Sequence, residues 1–216
     1  MLWAYIDDSN IHDRVTGKAE TIGLGGGIAS FYNWRALEDA WHKELSREDI
    51  SSFHMTDFES YNKQFKGWSV ERHERLLDAL LCIIRTNMVA FVGYSVPVSP
   101  GKVFTETYKA ALGRVLHYCG QTAISLGESK ISLIFAHQPQ VKSGRIASFL
   151  DLAGPAFPEI ASFTGANSND CCALQAADLL AYELVRWRGV PDLAGARYPM
   201  RYLMTDPILP FQVFHA

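Results

Sequence analysis

Nowhere in its 216 residues does this chain string together the roughly 20 apolar residues that a membrane-spanning helix requires, so no membrane partner is expected. The apolar stretch at its front, Met1 to Ile6, is too short for a signal peptide and runs straight into Asp7 and Asp8. Cysteine is scarce. Cys82, Cys119, Cys171 and Cys172 show no CxxC spacing and no histidine at zinc-finger distance, which removes a structural zinc module. Cys82 and Cys119 fall on apolar helical stripes, where a free thiol behaves as a small hydrophobe, and a reducing, cytoplasmic setting is expected. There is no Gly-x-Ser-x-Gly elbow for a nucleophilic hydrolase. The glycines from Gly23 to Gly27 are followed by no Gly-Lys-Ser/Thr, and the GxGxxG spacing fails at Ile28. Positive charge is not in excess either: the net charge is −3, so no overall basic field draws the chain to nucleic acid. Phosphate contact would need a local patch, for which Lys102, Lys109 and Arg114, Lys142 and Arg145, or Arg186 and Arg188 are available.

What is present describes an ordinary globular chain, 48% hydrophobic and 20% charged. Its length suits one domain burying roughly 70% of the surface its unfolded chain exposes. Residues 2–7 read as a short buried strand and 20–30 as a second, glycine-thinned one. Trp34, Leu37, Trp41 and Leu45 then repeat at helical spacing, and 50–55 read as a short third strand. Ser69 is placed to cap a helix burying Leu76, Leu77, Leu80, Leu81 and Ile84. Residues 87–97 make the clearest strand, and Tyr108, Leu112, Val115 and Cys119 mark the next helix. Ile131 to Ala136 is a strand, 144–152 a short helix, and Pro158 to Phe163 a poorer strand. Asp170 stands where an N-cap would, opening a helix that runs to about Arg186. Strands first, then strand and helix in alternation, predict an α/β domain with a mixed sheet flanked by helices. The expected domain covers 1–188, with 189–216 as an irregular tail packed on it.

Two carboxylates stand out against this background. Asp178 is alone in Ala173-Leu-Gln-Ala-Ala-Asp-Leu-Leu-Ala-Tyr182, and a buried carboxylate is costly unless a cation, a hydroxyl or an arginine compensates it. Leu174, Gln175, Ala181 and Tyr182 share its face, whereas Glu183 lies about 140° round the helix and belongs with solvent. Asp7 ends the first strand, where side chains reach an open edge; Asp8 would point to the opposite face if the strand continued. Asp7-Asp8-Ser9-Asn10 is also good turn chemistry. His54, Asp57 and Glu59 form a third polar knot, readable equally as a helix entry, and His137 follows the fourth strand in a loop.

Tyr5-Ile6-Asp7-Asp8-Ser9-Asn10, Phe53-His54-Met55 and Leu174-Gln-Ala-Ala-Asp178-Leu-Leu-Ala-Tyr182 together resemble the family catalogued as domain of unknown function 3800, over roughly residues 2 to 188. That resemblance implies a ribonuclease-H-like fold and a metal-dependent nuclease with no assigned reaction. It makes Asp7 the first-strand aspartate and Asp178 the last-helix aspartate, with His54 a further matched position. Asp8 and Asn10 stand where the family usually has Glu and Gly. Many members end the fourth strand on an aspartate, a place taken here by Ala136 and His137.

The expectation is therefore a Mg²⁺- or Mn²⁺-dependent phosphodiesterase acting on DNA or RNA. Asp7, Asp178 and Asp8 are its expected metal ligands, and His54 joins Asp7 and Asp178 as catalytic. Asp57, Glu59, His137, Gln175 and Tyr182 are secondary candidates. The alternative is a catalytically degenerate module of the same fold that binds nucleic acid or a protein partner.

Overall fold

The first strand sorts its side chains by parity, and the two layers of the protein follow from that sorting. In the computed structural model, β1 (Leu2–His12) sends Leu2, Ala4 and Ile6 into one core and Trp3 and Tyr5 against another. The structure describes residues 1–12, 19–99, 104–136, 156–188, 190 and 192–205, and the backbone of 211–215. The expected helix at 144–152, His137, Lys102, Lys142 and Arg145 lie outside the described residues.

β1 runs five residues past its expected end at Asp7, because Asp7 to Ile11 pair antiparallel with Gly25 to Thr21 of β2 (Ala19–Ser30). Ladder hydrogen bonds override the turn preference of Asp-Asp-Ser-Asn. β2 pairs antiparallel with β3 (Ala90–Pro97), while β4 (Ile131–Ala136) lies parallel to β1 and β5 (Ile160–Ala166) parallel to β4. The residues expected to form an irregular tail instead supply helix α6 (Tyr198–Met204) and strand β6 (Phe211–His215), which pairs parallel with β3. Proline is compatible with order there: Pro199 occupies the first turn of α6, where a missing N–H costs nothing. The sheet order is β5-β4-β1-β2-β3-β6, a six-stranded mixed sheet.

Between β2 and β3 the chain is helical. The expected stripe of Trp34, Leu37, Trp41 and Leu45 is buried on α1 (Phe31–Arg47). Residues 50–55 form no strand: the alternation of Phe53 and Met55 continues into a short helix, α2 (Met55–Glu59), which buries Met55 and Phe58. Ser69 caps α3 (Val70–Asn87) by accepting a hydrogen bond from the Arg72 N–H at 3.2 Å, and the five expected apolar residues are buried. Cys82 is exposed, one position off that stripe. Tyr108, Leu112, Val115 and Cys119 are buried on α4 (Phe104–Ser125), which covers the Leu2–Ala4–Ile6 face of the sheet.

The opposite face carries α5 (Cys172–Trp187), whose N-cap position is held by Cys171, with no side-chain cap, and not by Asp170, which sits in the preceding single turn. α5 packs directly on β1 and β2 and is itself overlaid by α1, α2 and α6. Every residue from Cys172 to Val185 is consequently buried, Glu183 among them at 1% exposure, and the expectation that Glu183 meets solvent fails. A helix buried on all sides has no solvent face to give.

Candidate functional site

Parity and register bring the two singled-out aspartates to one face. Asp7 points to the same side as Trp3 and Tyr5, and its partner across β2 is Gly25, over which Ala181 of α5 lies. Leu174 clusters with Ile134 and Ala136, a group against which Trp3 and Tyr5 pack, whereas Val185 lies over Gly23, the partner of Ser9. α5 thus travels along β1 in the strand's own direction. Asp178, four residues after Leu174 and three before Ala181, is carried over the stretch of β1 that holds Asp7. Both are buried, at 7% and 6% exposure. Asp7 is not at the end of β1; it stands where β1 leaves β4, one step beyond the Ile6–Phe135 pair. A strand losing its parallel neighbour opens the sheet at that point.

Asp178 also holds the protein together. Its Oδ2 accepts the Met55 N–H at 2.6 Å, so α5 caps the first residue of α2, a service that His54 at the N-cap position does not perform. Burial raises the pKa of Asp178; His54 and the Met55 N–H pull the other way, and Asp57 adds to the rise. Gln175, one turn earlier, is a strut. Its Oε1 accepts from Trp41 Nε1 and from Phe53 N–H, each at 3.0 Å, and its Nε2 donates to the Ser168 carbonyl at 3.1 Å. With every polar atom of Gln175 engaged, it ties α1, residue 53 and the turn before α5 together.

His54 sits at the rim with its side chain 53% exposed, Nδ1 3.7 Å from Asp57 Oδ2. Asp57 is held more closely by Lys63, at 2.8 Å. Lys63 itself has φ +51 and Tyr61 has φ +52, left-handed values that non-glycine residues seldom take, so this rim loop is conformationally strained. Glu59 and Tyr182 belong to a neighbouring cluster. Arg197 reaches Glu59 at 2.6 Å and Glu183 at 3.5 Å, and lies 5.8 Å from the Tyr182 ring. Burial pushes the Glu183 pKa up to about 7 against the pull of Arg197, and neither carboxylate oxygen accepts a hydrogen bond.

Asp8 faces away from this site. Its parity is that of Ile6, toward α4, where it and, more weakly, Asp7 add to the burial that raises the Tyr108 pKa well above its usual value. Asp8 Oδ2 accepts from Asn10 Nδ2 at 3.0 Å. Asp7 Oδ1 accepts the Asp8 N–H at 2.8 Å. Ala136 points toward α5, beside Leu174, on the face that Asp7 shares.

The structure therefore places Asp7 and Asp178 on the same side of the sheet, sets His54 and Asp57 beside Asp178, and turns Asp8 to the opposite face, while Glu59 and Tyr182 gather around Arg197. Sequence reasoning missed Glu183, Arg197, Lys63 and the Met55 N–H. Only the unbroken apolar character of α5 signalled that a glutamate there would be buried. Compared with models of known families and with curated proteins, the sequence matches none.

Proposed function

We propose that this protein is a divalent-cation-dependent phosphodiesterase acting on nucleic acid, built on a ribonuclease-H-like sheet. The observation that carries the reading is the shared face of Asp7 and Asp178, at the point where β1 parts from β4 beneath α5. The strand order supports the fold assignment: an antiparallel β1-β2-β3 meander, with β4 and β5 added parallel on the β1 side.

The side chains fit one ion better than two. Among the described residues no three His, Cys, Asp or Glu side chains converge to hold a metal. Mg²⁺ keeps several waters and is commonly held by one or two carboxylates plus substrate phosphate, so Asp7 and Asp178 are a sufficient protein share. When bound, such an ion supplies an activated water and neutralises charge on the phosphoryl oxygens. Asp178 contributes the oxygen not committed to Met55. Burial disfavours its charge, and a bound cation would compensate that charge. His54, exposed at the rim, is positioned to meet a substrate phosphate.

A second reading, a degenerate binding module, is favoured by one residue: Ala136 offers no carboxylate where it shares the Asp7 face. Cleavage of labelled single- and double-stranded DNA and RNA, with Mg²⁺ and with Mn²⁺, decides between them. The proposed enzyme loses cleavage in Asp7→Asn and in Asp178→Asn, and gains Mg²⁺ use in Ala136→Asp, whose new carboxylate would face α5. If neither the wild type nor Ala136→Asp cuts any of the four substrates with either ion, catalysis is refuted and the binding module stands.

A further inference from the structure

One helical turn beyond Asp178 on α5 begins a surface made of stacked arginines and tyrosines. The Arg186 guanidinium lies 4.2 Å over the Tyr182 ring, and Arg197 lies 5.8 Å from the same ring. Tyr198 follows Arg197 in sequence and its ring is 6.0 Å from that of Tyr202, on whose face Arg85 of α3 stacks at 5.1 Å. Arg201, exposed on α6, donates to the Ala196 carbonyl at 2.6 Å. These are two stacks, Arg186–Tyr182–Arg197 and Tyr198–Tyr202–Arg85, which adjoin in sequence at Arg197 and Tyr198, where α6 packs against both α5 and α3. Three carboxylates border this surface: Glu59 and Glu183 pair with Arg197, and Asp78 accepts from the Tyr198 hydroxyl at 2.7 Å.

The chemistry of this surface is selective. Among the described residues its cations are arginines, and arginine is the side chain whose planar fork matches phosphate oxygens two at a time. A guanidinium packed over a ring has already lost part of its rotamer freedom, so less is lost again when it meets a ligand. Tyr198 is 44% exposed and presents aromatic surface to solvent, which suits a base that is not already stacked in a duplex. In a chain of net charge −3, this is a local attraction and not a broad field.

We propose that this surface binds single-stranded nucleic acid, its arginines taking phosphates and Tyr198 stacking a base, and that it leads the strand toward the Asp7–Asp178 face. The destination rests on the phosphodiesterase reading; the binding does not. Arg197 is left intact in the test because it partners a buried glutamate.

Fluorescence anisotropy with a mixed-sequence single-stranded oligonucleotide, in chelator and without metal, reads the binding alone. Replacing Arg85, Arg186 and Arg201 together by Ala should weaken it at least tenfold and flatten its salt dependence by about two units of log–log slope, since each single-strand phosphate contact contributes about 0.7. Tyr198→Ala should weaken it about fivefold or more, the loss of one stacked base. Arg47→Ala, a charge removed from α1, should change nothing, and melting curves check that every variant folds. The charge-preserving triple change to Lys separates the stacked fork from mere charge: it should stay clearly weaker than wild type. Equal affinity for a duplex of the same sequence, equal loss in Arg47→Ala, or no binding by the wild type overturns the proposal. A protein that binds but never cleaves refutes only the phosphodiesterase reading. One that cleaves with Mg²⁺ yet ignores the arginine changes refutes only this one.

Discussion

Asp178 was visible in the sequence as a lone acid in an apolar run, but its partner was not, because that partner is a backbone N–H 123 residues away. Substitutions at this position should separate its two duties. Asp178→Asn keeps an oxygen to accept from Met55 and removes a charge that burial disfavours, so stability should hold or rise while metal-dependent cleavage disappears. Asp178→Ala leaves the first N–H of α2 without its acceptor and should cost about 1–2 kcal/mol. Thermal melts with and without Mg²⁺ read both; a large loss in the Asn variant would contradict the dual role. Glu183 is the opposite case, a residue assigned to solvent and found buried. Its pKa is raised from 4.5 to about 7 in the folded protein, chiefly by burial. A group with a raised folded pKa contributes its full stability below the unfolded value, and that contribution is lost as pH climbs from about 4.5 toward 7. The loss is of order 3 kcal/mol at most, from about 1.4 kcal/mol per pKa unit. Glu183→Gln should remove this slope, leaving the variant as stable as the wild type or more so at pH 8. Urea midpoints of both proteins from pH 5 to pH 8 give the difference, and parallel curves would mean that Glu183 does not titrate in this range.

Elements with a strong period were legible: α1, α3, α4, α5, β3 and β4 lie close to where the pattern put them, since each buries one regular face. The failures came where a neighbour decided. β1 lengthened because β2 pairs with it, and 50–55 became a helix entry because Asp178 and Gln175 accept the N–H groups of Met55 and Phe53. The glycine-thinned strand β2 permits close approach, and what approaches Gly23 and Gly25 is α5. A Cβ at Gly25 would meet Ala181 Cα at 3.2 Å and Leu184 Cδ2 at 3.3 Å. Leu180, Leu184 and Met200 line the space beside Gly25 and Gly93, so an isopropyl group there must displace packed side chains. Gly25→Val should therefore lift α5 from the sheet and destabilise the protein by about 1–3 kcal/mol. Because Asp178 moves with α5 while Asp7 stays on β1, cleavage should fall further than stability explains. Activity measured well below the melting temperature tests that: normal turnover in a folded Gly25→Val protein would show that the helix height does not set the site.

At the scale of the whole molecule, the sequence showed the class of fold but not where its sheet stops. Apart from residues 50–55, the described strands and helices up to α5 follow the order that alternation suggested, whereas β6 lies in a segment whose aromatics carry no clear period and whose pairing partner is more than a hundred residues earlier. Its position matters because β3, with Phe91 and Val92 buried, would otherwise be an edge. An apolar strand with open N–H and C=O groups is a template for pairing with another chain. β6 covers it in parallel register from Phe91 opposite Phe211 to Ser95 opposite His215. Ending the chain after Thr205 should leave the Asp7–Asp178 face intact, since β3 and β2 lie between it and the missing strand. It should instead lower stability and expose β3 to self-association. Light scattering at increasing protein concentration, beside a melt at low concentration, distinguishes the two effects. A truncated protein that stays monomeric and melts with the wild type would mean that β6 adds nothing to the sheet; one that aggregates while its dilute form keeps metal-dependent cleavage would show that β6 protects the sheet's edge and leaves the site to β1 and α5.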